Sequence, residues 1–217
     1  MSIMKKAVLL FSWGADSTTV LYKLIEEWYE VYPLIIYYGQ RNEKEVTRAT
    51  EILTDLEIWR KFLDCSEIMS ICDSELLWPD DELYLWKQED YTVHSRNLLF
   101  LSYGAMYAQN IKADVLSMWI HDWGFDYDCS FKFCDLMKEV LEICDARQVE
   151  LYLPYLHIDK KGLIEDWIRM EVPYEKTRTC YNDDDVPCGM CPSCKARDEI
   201  FSKLAEEWKY IYPGLKH

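Results

Sequence analysis

Apolar runs and amphipathic stretches alternate along most of the chain. Five runs predict strands: KKAVLLFS, which predicts a buried strand, and EVYPLIIYYG, WRKFLDC, ADVLSMWI and VELYLPYL. The stretches between them have apolar residues at helical spacing and predict helices over residues 17–30, 43–56, 96–109, 131–146 and 160–169, with a last helix over 195–208. Because strands that alternate with helices form parallel sheets covered on both faces, the pattern predicts an α/β fold.

The predicted elements form one domain over residues 1–217, because no repeat, low-complexity run or linker interrupts them. We expect a Rossmann-like parallel five-stranded sheet with helices on both faces in residues 1–176, and a cysteine-rich segment with the C-terminal helix in residues 177–217. Residues 66–94 are irregular and acidic and predict a long loop with short helical turns, which in a compact domain is usually functional. Ligands of such sheets bind at the carboxyl ends of the strands.

Composition narrows the class of protein. The 217 residues are half hydrophobic, as in a globular domain, and no segment reaches the roughly 18 apolar residues of a membrane span. The N-terminal apolar run is short and lacks a small-residue cleavage site, so we expect a buried strand there, not a signal peptide, and a cytoplasmic protein. The net charge of -15 disfavours binding to bulk DNA or tRNA and favours a small-molecule substrate.

The first predicted loop has the sequence SWGADS over residues 12–17 and lies between a strand and a helix. Backbone N–H groups at a helix N-terminus attract anions, and the hydroxyls of Ser12, Ser17 and Thr18 can add donors. The loop lacks the lysine of a GxxxxGK loop, so it predicts a phosphate cradle of a different type. The alternative is an ordinary turn between strand and helix in which Asp16 or Ser17 is the N-cap.

The cysteines give a second pattern. Nine of them, in a chain without a predicted signal peptide, indicate thiols and metal ligands and not a disulfide framework. The spacing C-x7-C-x2-C-x2-C predicts a closed tetrahedral zinc site with the ligands Cys180, Cys188, Cys191 and Cys194. An iron–sulfur cluster and free thiols on a loop are the alternatives. Most of the remaining five are predicted to be buried as small hydrophobes: Cys65, Cys72, Cys129, Cys134 and Cys144.

These two patterns together resemble the 7-cyano-7-deazaguanine synthases (QueC), a family of PP-loop ATP pyrophosphatases, over nearly the whole chain. The matching motifs are FSWGADSTT for FSGGxDSTT, YYGQR for DYGQR, VHSRNLLFLS for VPGRNxxFLS, the DC at residues 128–129, DKKG for DKAE, and TCYNDDDVPCGMCPSC for TCYxGxxxxCGxCxxC. The order and spacing of the set are far more specific than any single motif.

The resemblance implies an ATP-dependent enzyme that makes a nitrile from a carboxylic acid. ATP adenylates the carboxylate of 7-carboxy-7-deazaguanine and releases pyrophosphate, and ammonia displaces AMP to give the amide. A second ATP activates the amide oxygen, and loss of AMP leaves the nitrile. The resemblance therefore implies a ligase that forms carbon–nitrogen bonds, with ATP, Mg²⁺ and structural zinc, and it favours a homodimer.

The matching motifs also assign candidate site residues. The expected catalytic residues are Ser12, Asp16, Ser17, Arg96 and Lys160. The residues expected to bind ATP or substrate are Phe11, Ser12, Trp13, Gly14, Ala15, Asp16, Ser17, Thr18, Thr19, Tyr38, Gln40, Arg41, Arg96 and Asn97. Asp16 is a candidate for holding Mg²⁺. Arg41, Arg96 and Lys160 are candidates for holding the substrate carboxylate or the phosphates, the alternative being surface salt bridges.

Several positions depart from the family pattern, and they cluster in ligand-facing loops. Trp13 replaces a loop glycine, and His94 and Ser95 replace Pro-Gly. Tyr37 stands at an aspartate position and Ser130 at an arginine position. These changes raise two alternatives to nitrile formation. One is a ligase that joins the adenylated acid to another amine, a protein or a metabolite, in an antiviral system. The other is a catalytically weak nucleotide-binding interaction module.

Overall fold

The computed structural model describes residues 4–12, 14–40, 44–72, 74, 77, 92–121, 127–173, 176–177, 180, 186–191, 193–195 and 197–198. Its elements in chain order are β1 Lys6–Leu10, α1 Ala15–Glu26, β2 Glu30–Tyr37, α2 Lys44–Asp55, β3 Lys61–Asp64, α3 Ser66–Met69, α4 Arg96–Ile111, β4 Val115–Ser117, a 3₁₀ turn Tyr127–Cys129, α5 Phe131–Cys144, β5 Glu150–Tyr152 and α6 Lys160–Arg169. Most of the helix predicted over 195–208 and most of the predicted acidic loop lie outside the described residues.

The five strands form one parallel sheet in the order β3-β2-β1-β4-β5, which confirms the predicted sheet. The chain starts in the central strand β1, moves outward through β2 to β3, and then crosses back to β4 on the other side of β1. Leu9 of β1 pairs with Pro33 of β2 and with Ser117 of β4. The strand order therefore reverses beside β1, and ligands of such sheets bind at this switch point, beyond the carboxyl ends of the strands.

Helices cover both faces of the sheet, as the sequence predicted. Alternate residues of β1 point to opposite faces. Val8 and Leu10 belong to a core shared with α4 and α5, whereas Ala7 and Leu9 belong to a core shared with α1, α2 and α6. At Gly104 the helix α4 approaches the sheet so closely that an added Cβ would lie 2.6 Å from a methyl group of Leu116. In the part of the chain that the structure describes, no helix is long and apolar enough to span a membrane.

The bounds of α1 differ from the prediction of residues 17–30. The helix begins at Ala15 and ends at Glu26, because the chain turns at Trp28, where φ is +63°, and then enters β2. A left-handed residue ends an α-helix and frees the next residues to join the sheet. Strands β4 and β5 contain three residues each, so the longer apolar runs predicted for them extend into the loops at their ends. Helix α6 has the predicted bounds.

Candidate active site

Hydroxyl groups close the loop after β1 against the first turn of α1. The hydroxyl and the N–H of Ser12 both donate to Ser17 Oγ, at 3.2 and 3.3 Å. The hydroxyls of Ser17 and Thr18 donate to the carbonyl of Gly14, at 3.2 and 3.0 Å. We expected these two hydroxyls to donate to a ligand, but in this structure they hold the loop in place. Ser12 thereby lies beside the helix N-terminus.

The N-cap of α1 is Gly14, and helical geometry begins at Ala15. The alternative in which Asp16 or Ser17 caps the helix is therefore wrong. The first intrahelical backbone bond runs from the N–H of Thr18 to the carbonyl of Gly14, at 3.0 Å. Because the N–H groups before it have no intrahelical acceptor, and because the helix dipole is positive at this end, the loop can hold an anion.

The side chains in the first two turns of α1 are buried to different degrees. Ser17, Thr18 and Thr19 are buried, and the hydroxyl of Thr19 donates to the carbonyl of Ala15 at 2.8 Å. Phe11 is also buried and belongs to the core on the α1 face of the sheet. The side chains of Phe11 and Thr19 therefore pack inward. Their expected role in binding ATP stays a prediction.

The turn after β2 contacts the start of α4. The N–H of Tyr38 donates to Gln40 Oε1 at 2.8 Å, and Gly39 has a φ of +78°, a conformation that favours glycine. The guanidinium of Arg96 lies 5.6 Å from the centre of the Tyr38 ring, and its Nη1 donates to the Tyr38 hydroxyl at 3.3 Å. Two predicted site motifs that are distant in sequence therefore meet at the carboxyl edge of the sheet.

Asn97, the second residue of α4, connects this helix to the 3₁₀ turn before α5. Its N–H donates to Asp128 Oδ2 at 3.0 Å. Its side-chain Nδ2 donates to the carbonyl of Asp128 at 3.1 Å and to Cys129 Sγ at 3.2 Å. Asn97 was predicted to bind ATP or substrate, but its amide N–H groups are occupied by the protein. Apart from the presence of both motifs, nothing in the sequence indicates that Asn97 pairs with Asp128.

The segment after β4 carries an aromatic group that the sequence did not predict. The Trp119 ring stacks on His121, with ring centres 5.9 Å apart and planes within 6°, and also contacts Tyr155 at 5.8 Å. The nearby hydroxyl of Ser117 is fully buried and has no hydrogen-bond partner among the described residues. Aromatic residues at alternate positions just after a strand, as in WIH, could have indicated this group.

The four cysteines of the C-terminal segment come together as predicted. The sulfur atoms of Cys180, Cys188, Cys191 and Cys194 all lie within 4.8 Å of one another. Four thiolates placed about 2.3 Å from a zinc ion in a tetrahedron lie roughly 3.8 Å apart, so this cluster fits such an ion. Three of the four side chains are buried, which leaves no wide opening for a further ligand.

Backbone N–H groups surround the sulfur atoms. The N–H of Cys191 donates to Cys188 Sγ at 3.3 Å, and the N–H of Cys194 donates to Cys191 Sγ at 3.3 Å. Gly189 has a φ of +68°, which lets the chain turn between two ligands. Burial raises the pKa of the Cys194 thiol to about 11. A metal cation would offset this cost, because it stabilises the thiolate form.

The other cysteines do not form a cluster with these four. Cys65 and Cys134 are buried, which confirms the prediction for them. Cys72 and Cys129 are partly buried against the core on the α4 face. Cys144 is exposed at the end of α5 and is therefore not one of the buried cysteines that the prediction describes.

Two further predicted site residues lie at the starts of helices. Asp16 lies in the first turn of α1, and Lys160 is the first residue of α6. Ser130 is the N-cap of α5 and accepts a hydrogen bond from the N–H of Phe133 at 3.2 Å. Trp13 and Arg41 lie outside the described residues.

Comparison with known proteins identifies relatives over the full length of the fold. The profile of the family described as "Queuosine biosynthesis protein QueC" matches residues 6–205. The "7-cyano-7-deazaguanine synthase 2" of Colwellia psychrerythraea is 33% identical over 208 residues, which is 91% of this chain and 94% of that protein. The "7-cyano-7-deazaguanine synthase" of Clostridium kluyveri is 32% identical over 226 residues, with 98% and 100% of the two chains covered.

Solved structures share the fold at lower sequence identity. A 4-thiouridine synthetase, in a complex with RNA and ATP, matches with a TM-score of 0.56 and 16% identity, covering 94% of this chain and 50% of that chain. A predicted subunit of a tRNA methyltransferase from Methanocaldococcus jannaschii matches with a TM-score of 0.52 and 13% identity, covering 75% and 73%. At these identities the likeness concerns the fold alone.

Proposed function

Because this chain belongs to the QueC family, we propose that it converts 7-carboxy-7-deazaguanine and ammonia into 7-cyano-7-deazaguanine with ATP. The observation that carries the proposal is the loop after β1, in which Ser12 and Gly14 are held against the N-terminus of α1 by the Ser17 hydroxyl. This arrangement can bind a phosphate, and it lies at the carboxyl edge of a parallel sheet.

The reaction has two activation steps. The substrate carboxylate attacks the α-phosphorus of ATP, which forms an acyl-adenylate and releases pyrophosphate. Ammonia attacks the acyl carbon, AMP leaves, and a proton is lost, which gives the amide. The amide oxygen then attacks a second ATP and releases pyrophosphate. Loss of AMP and two protons from this adenylated amide leaves the nitrile.

The phosphates of ATP bind at α1 in this proposal. The N–H groups of its first turn stabilise the negative charge of the departing pyrophosphate, beside Ser12, whose hydroxyl is bonded to Ser17. Ser17 and Thr18 keep the loop in position through their bonds to the Gly14 carbonyl. Asp16, in the first turn, would hold Mg²⁺, and that ion would offset the negative charge of the phosphates.

Cations and polar groups from other elements complete the site. Arg96, at the start of α4, lies beside Tyr38 at the carboxyl edge and orients the substrate carboxylate or a phosphate. Arg41 and Lys160 have the same role in this proposal. Gln40 shapes the turn after β2 through its bond to the Tyr38 N–H. Asn97 acts by positioning Arg96 through its bonds to Asp128.

We propose zinc as the ion of the cysteine cluster. Four cysteine sulfurs within 4.8 Å suit a closed structural site, which has no position for a reacting water. The ion therefore stabilises the C-terminal segment and takes no part in the reaction.

A second candidate function is favoured by one observation. Ser130 stands at an arginine position of the family and here caps α5 with its side chain. A cation that the family carries near the site is thus replaced by a helix cap, which can change the acceptor of the acyl group. In this alternative the adenylated acid is joined to an amine of a protein or metabolite, and no nitrile forms.

The outer face of α5 supports a homodimer. Leu136, Val140 and Ile143 are 50%, 39% and 83% exposed and lie on one stripe of the helix, at i, i+4 and i+7. Two copies of α5 packed antiparallel about a twofold axis would bury this stripe. Val140→Glu should then produce monomers in analytical ultracentrifugation, whereas a dimer of unchanged affinity would contradict this interface.

ATP binding is the experiment that tests the loop. Calorimetry with ATP and Mg²⁺ should show binding by the wild type and by Trp13→Gly, and weak or no binding by Asp16→Ala. All three proteins should keep their zinc content and their unfolding temperature. If the wild type fails to bind and Trp13→Gly binds, then Trp13 blocks the site, and the chain is an interaction module that does not use ATP.

A further inference from the structure

The phosphate loop and Arg96 lie on opposite sides of the sheet. Helix α1, whose N-terminus the phosphate loop precedes, packs on the face of the sheet that holds Leu9 of β1. Helix α4, which begins at Arg96, packs on the face that holds Leu10. Tyr38, just after β2, also packs against the core on the α4 face. The carboxyl edge of the sheet therefore has a helix N-terminus on one side and a guanidinium on the other.

The first step of the proposed reaction requires its two anions to lie on opposite sides of the reacting phosphorus. The substrate carboxylate displaces pyrophosphate from the α-phosphorus of ATP. In a displacement of this kind the attacking and leaving oxygens are roughly in line. Because the N-terminus of α1 binds the departing pyrophosphate in that reaction, the carboxylate attacks from the other side of the sheet edge, where α4 begins.

Arg96 is oriented on this side by an uncharged side chain. Its Nη1 donates to the Tyr38 hydroxyl at 3.3 Å, and its guanidinium carbon lies 5.6 Å from the centre of the Tyr38 ring. Because a phenol is neutral near pH 7, these contacts orient the guanidinium without neutralising its charge. A guanidinium has five N–H donors, so it can bond to Tyr38 and to another protein group and still donate two parallel bonds to a carboxylate.

Tyr38 is itself held by its own turn and by α4. Its N–H donates to Gln40 Oε1 at 2.8 Å, and its ring packs against that of Phe100 in α4, with ring centres 5.4 Å apart. Gly39, with a φ of +78°, lets the chain turn directly after Tyr38. A tyrosine that is fixed from both elements can hold the side chain of Arg96 in one orientation before a substrate binds.

We propose that Arg96 binds the carboxylate of the acid substrate, and not a phosphate of ATP, and that Tyr38 is the positioning residue that orients the guanidinium. The inference rests on the proposed function and decides which of the two anions Arg96 holds in it. Two parallel bonds from the guanidinium fix the plane of the carboxylate, which brings the attacking oxygen to the α-phosphorus in one orientation.

The test compares 7-carboxy-7-deazaguanine with 7-deazaguanine, which is the same heterocycle without its carboxylate. Arg96→Ala should raise the Kd for the acid by more than about tenfold, as expected for the loss of charged hydrogen bonds. The Kd values for 7-deazaguanine and for ATP should stay within about twofold of the wild type, because neither ligand contacts Arg96. Arg96→Met keeps the length of the side chain and should give the same result, so a folding defect in one variant does not decide the outcome.

Tyr38→Phe keeps the ring and removes the oxygen that accepts from Arg96. It should weaken acid binding about threefold in the wild type and have no further effect in Arg96→Ala, because the tyrosine acts only through the arginine. Tyr32→Phe is the matched control, since this tyrosine of β2 donates to Glu30 Oε1 at 2.6 Å, near the opposite edge of the sheet. If the effects of Tyr38→Phe and Arg96→Ala on the acid simply add, the positioning role is wrong.

The outcomes separate this inference from the proposed function. If Arg96→Ala weakens the binding of ATP but not of the acid, Arg96 holds a phosphate, and the inference fails while the proposed reaction stands. If Arg96→Ala weakens the acid and 7-deazaguanine equally, its role is structural, and the inference again fails alone. If the wild type binds ATP but not the acid, the proposed function and this inference both fail.

Discussion

The backbone N–H of Asn97 donates to the carboxylate of Asp128 at 3.0 Å, across 31 residues of sequence. The N-cap residue of α4, Ser95, makes no side-chain capping bond, so Asp128 supplies an acceptor that the local sequence lacks. A carboxylate at a helix N-terminus also interacts favourably with the helix dipole. This contact fixes the start of α4, where Arg96 lies, to the turn before α5.

Asn97→Ala should lower the free energy of unfolding by about 1–3 kcal/mol, because it leaves the carbonyl of Asp128 and the thiol of Cys129 without their buried donor. Urea unfolding followed by circular dichroism measures this change. Asn110→Ala, at an exposed position of the same helix, is the control and should change stability by less than about 0.5 kcal/mol. Equal effects of the two substitutions would show that the contact with Asp128 is not important.

Ser95→Gly should stabilise the protein. Ser95 has a φ of +59°, in the left-handed region where a side chain costs roughly 1 kcal/mol. We expect a net gain of about 0.5–1 kcal/mol in thermal or urea unfolding. Ser102→Gly, in the interior of α4, should have the opposite effect, since glycine weakens a helix interior. A loss of stability in Ser95→Gly would mean that the serine side chain has a role of its own.

Acidification should weaken the contact between α1 and α6. Hydrogen bonding to Arg169 lowers the pKa of Glu26 from 4.5 to about 2. Because the folded pKa is below the unfolded one, the contact stabilises the protein above about pH 4.5, and this contribution is lost as the pH falls toward 2. The unfolding free energy of the wild type should therefore fall more steeply over this range than that of Glu26→Gln.

Glu67→Gln, an exposed glutamate in α3, is the control for that pH series and should follow the wild type. The difference between wild type and Glu26→Gln should shrink in high salt, because the ion pair is at the surface. If the unfolding free energies of the wild type and of Glu26→Gln change in parallel with pH at low salt, the contact between Glu26 and Arg169 does not stabilise the protein.

Freshly purified protein should contain one zinc ion per chain by elemental analysis, bound by the four cysteines. Cys191→Ser should lose the metal and lower the unfolding temperature sharply, because a structural zinc contributes folding free energy. Cys144→Ser, at the exposed end of α5, should leave both quantities unchanged. Iron in place of zinc would support a cluster of another kind, and the absence of both metals would exclude the site.

The order of the elements could be predicted from the sequence because strand-like runs alternate with stretches whose apolar residues have helical spacing. The ends of the elements could not be predicted as well. Strand β4 stops at Ser117, and the apolar residues after it continue as an extended segment outside the sheet. Helix α1 starts before Ser17 because the hydroxyls of Ser17 and Thr18 donate to the Gly14 carbonyl. The spacing of apolar residues cannot predict these hydrogen bonds.

The zinc ligands were predictable because all four lie within one short segment, where spacing alone limits the geometry. The contacts of Asn97 with Asp128 and of Trp119 with Tyr155 join residues that are distant in sequence, so they depend on the packing of α4 and β5. Ser130 can be recognised as a helix cap only when it is known that α5 starts at Phe131. Local patterns therefore identify motifs. Tertiary contacts decide which motif residues already form hydrogen bonds within the protein.

We propose that this chain uses ATP to activate the carboxylate of 7-carboxy-7-deazaguanine and turn it into a nitrile. Mass spectrometry of the products formed with the acid, ATP, Mg²⁺ and ammonium tests this most directly. The wild type should form 7-cyano-7-deazaguanine with release of AMP and pyrophosphate, and Asp16→Ala, folded and loaded with zinc, should form none. If folded wild type that binds ATP returns the acid unchanged, with no AMP released, the claim is contradicted.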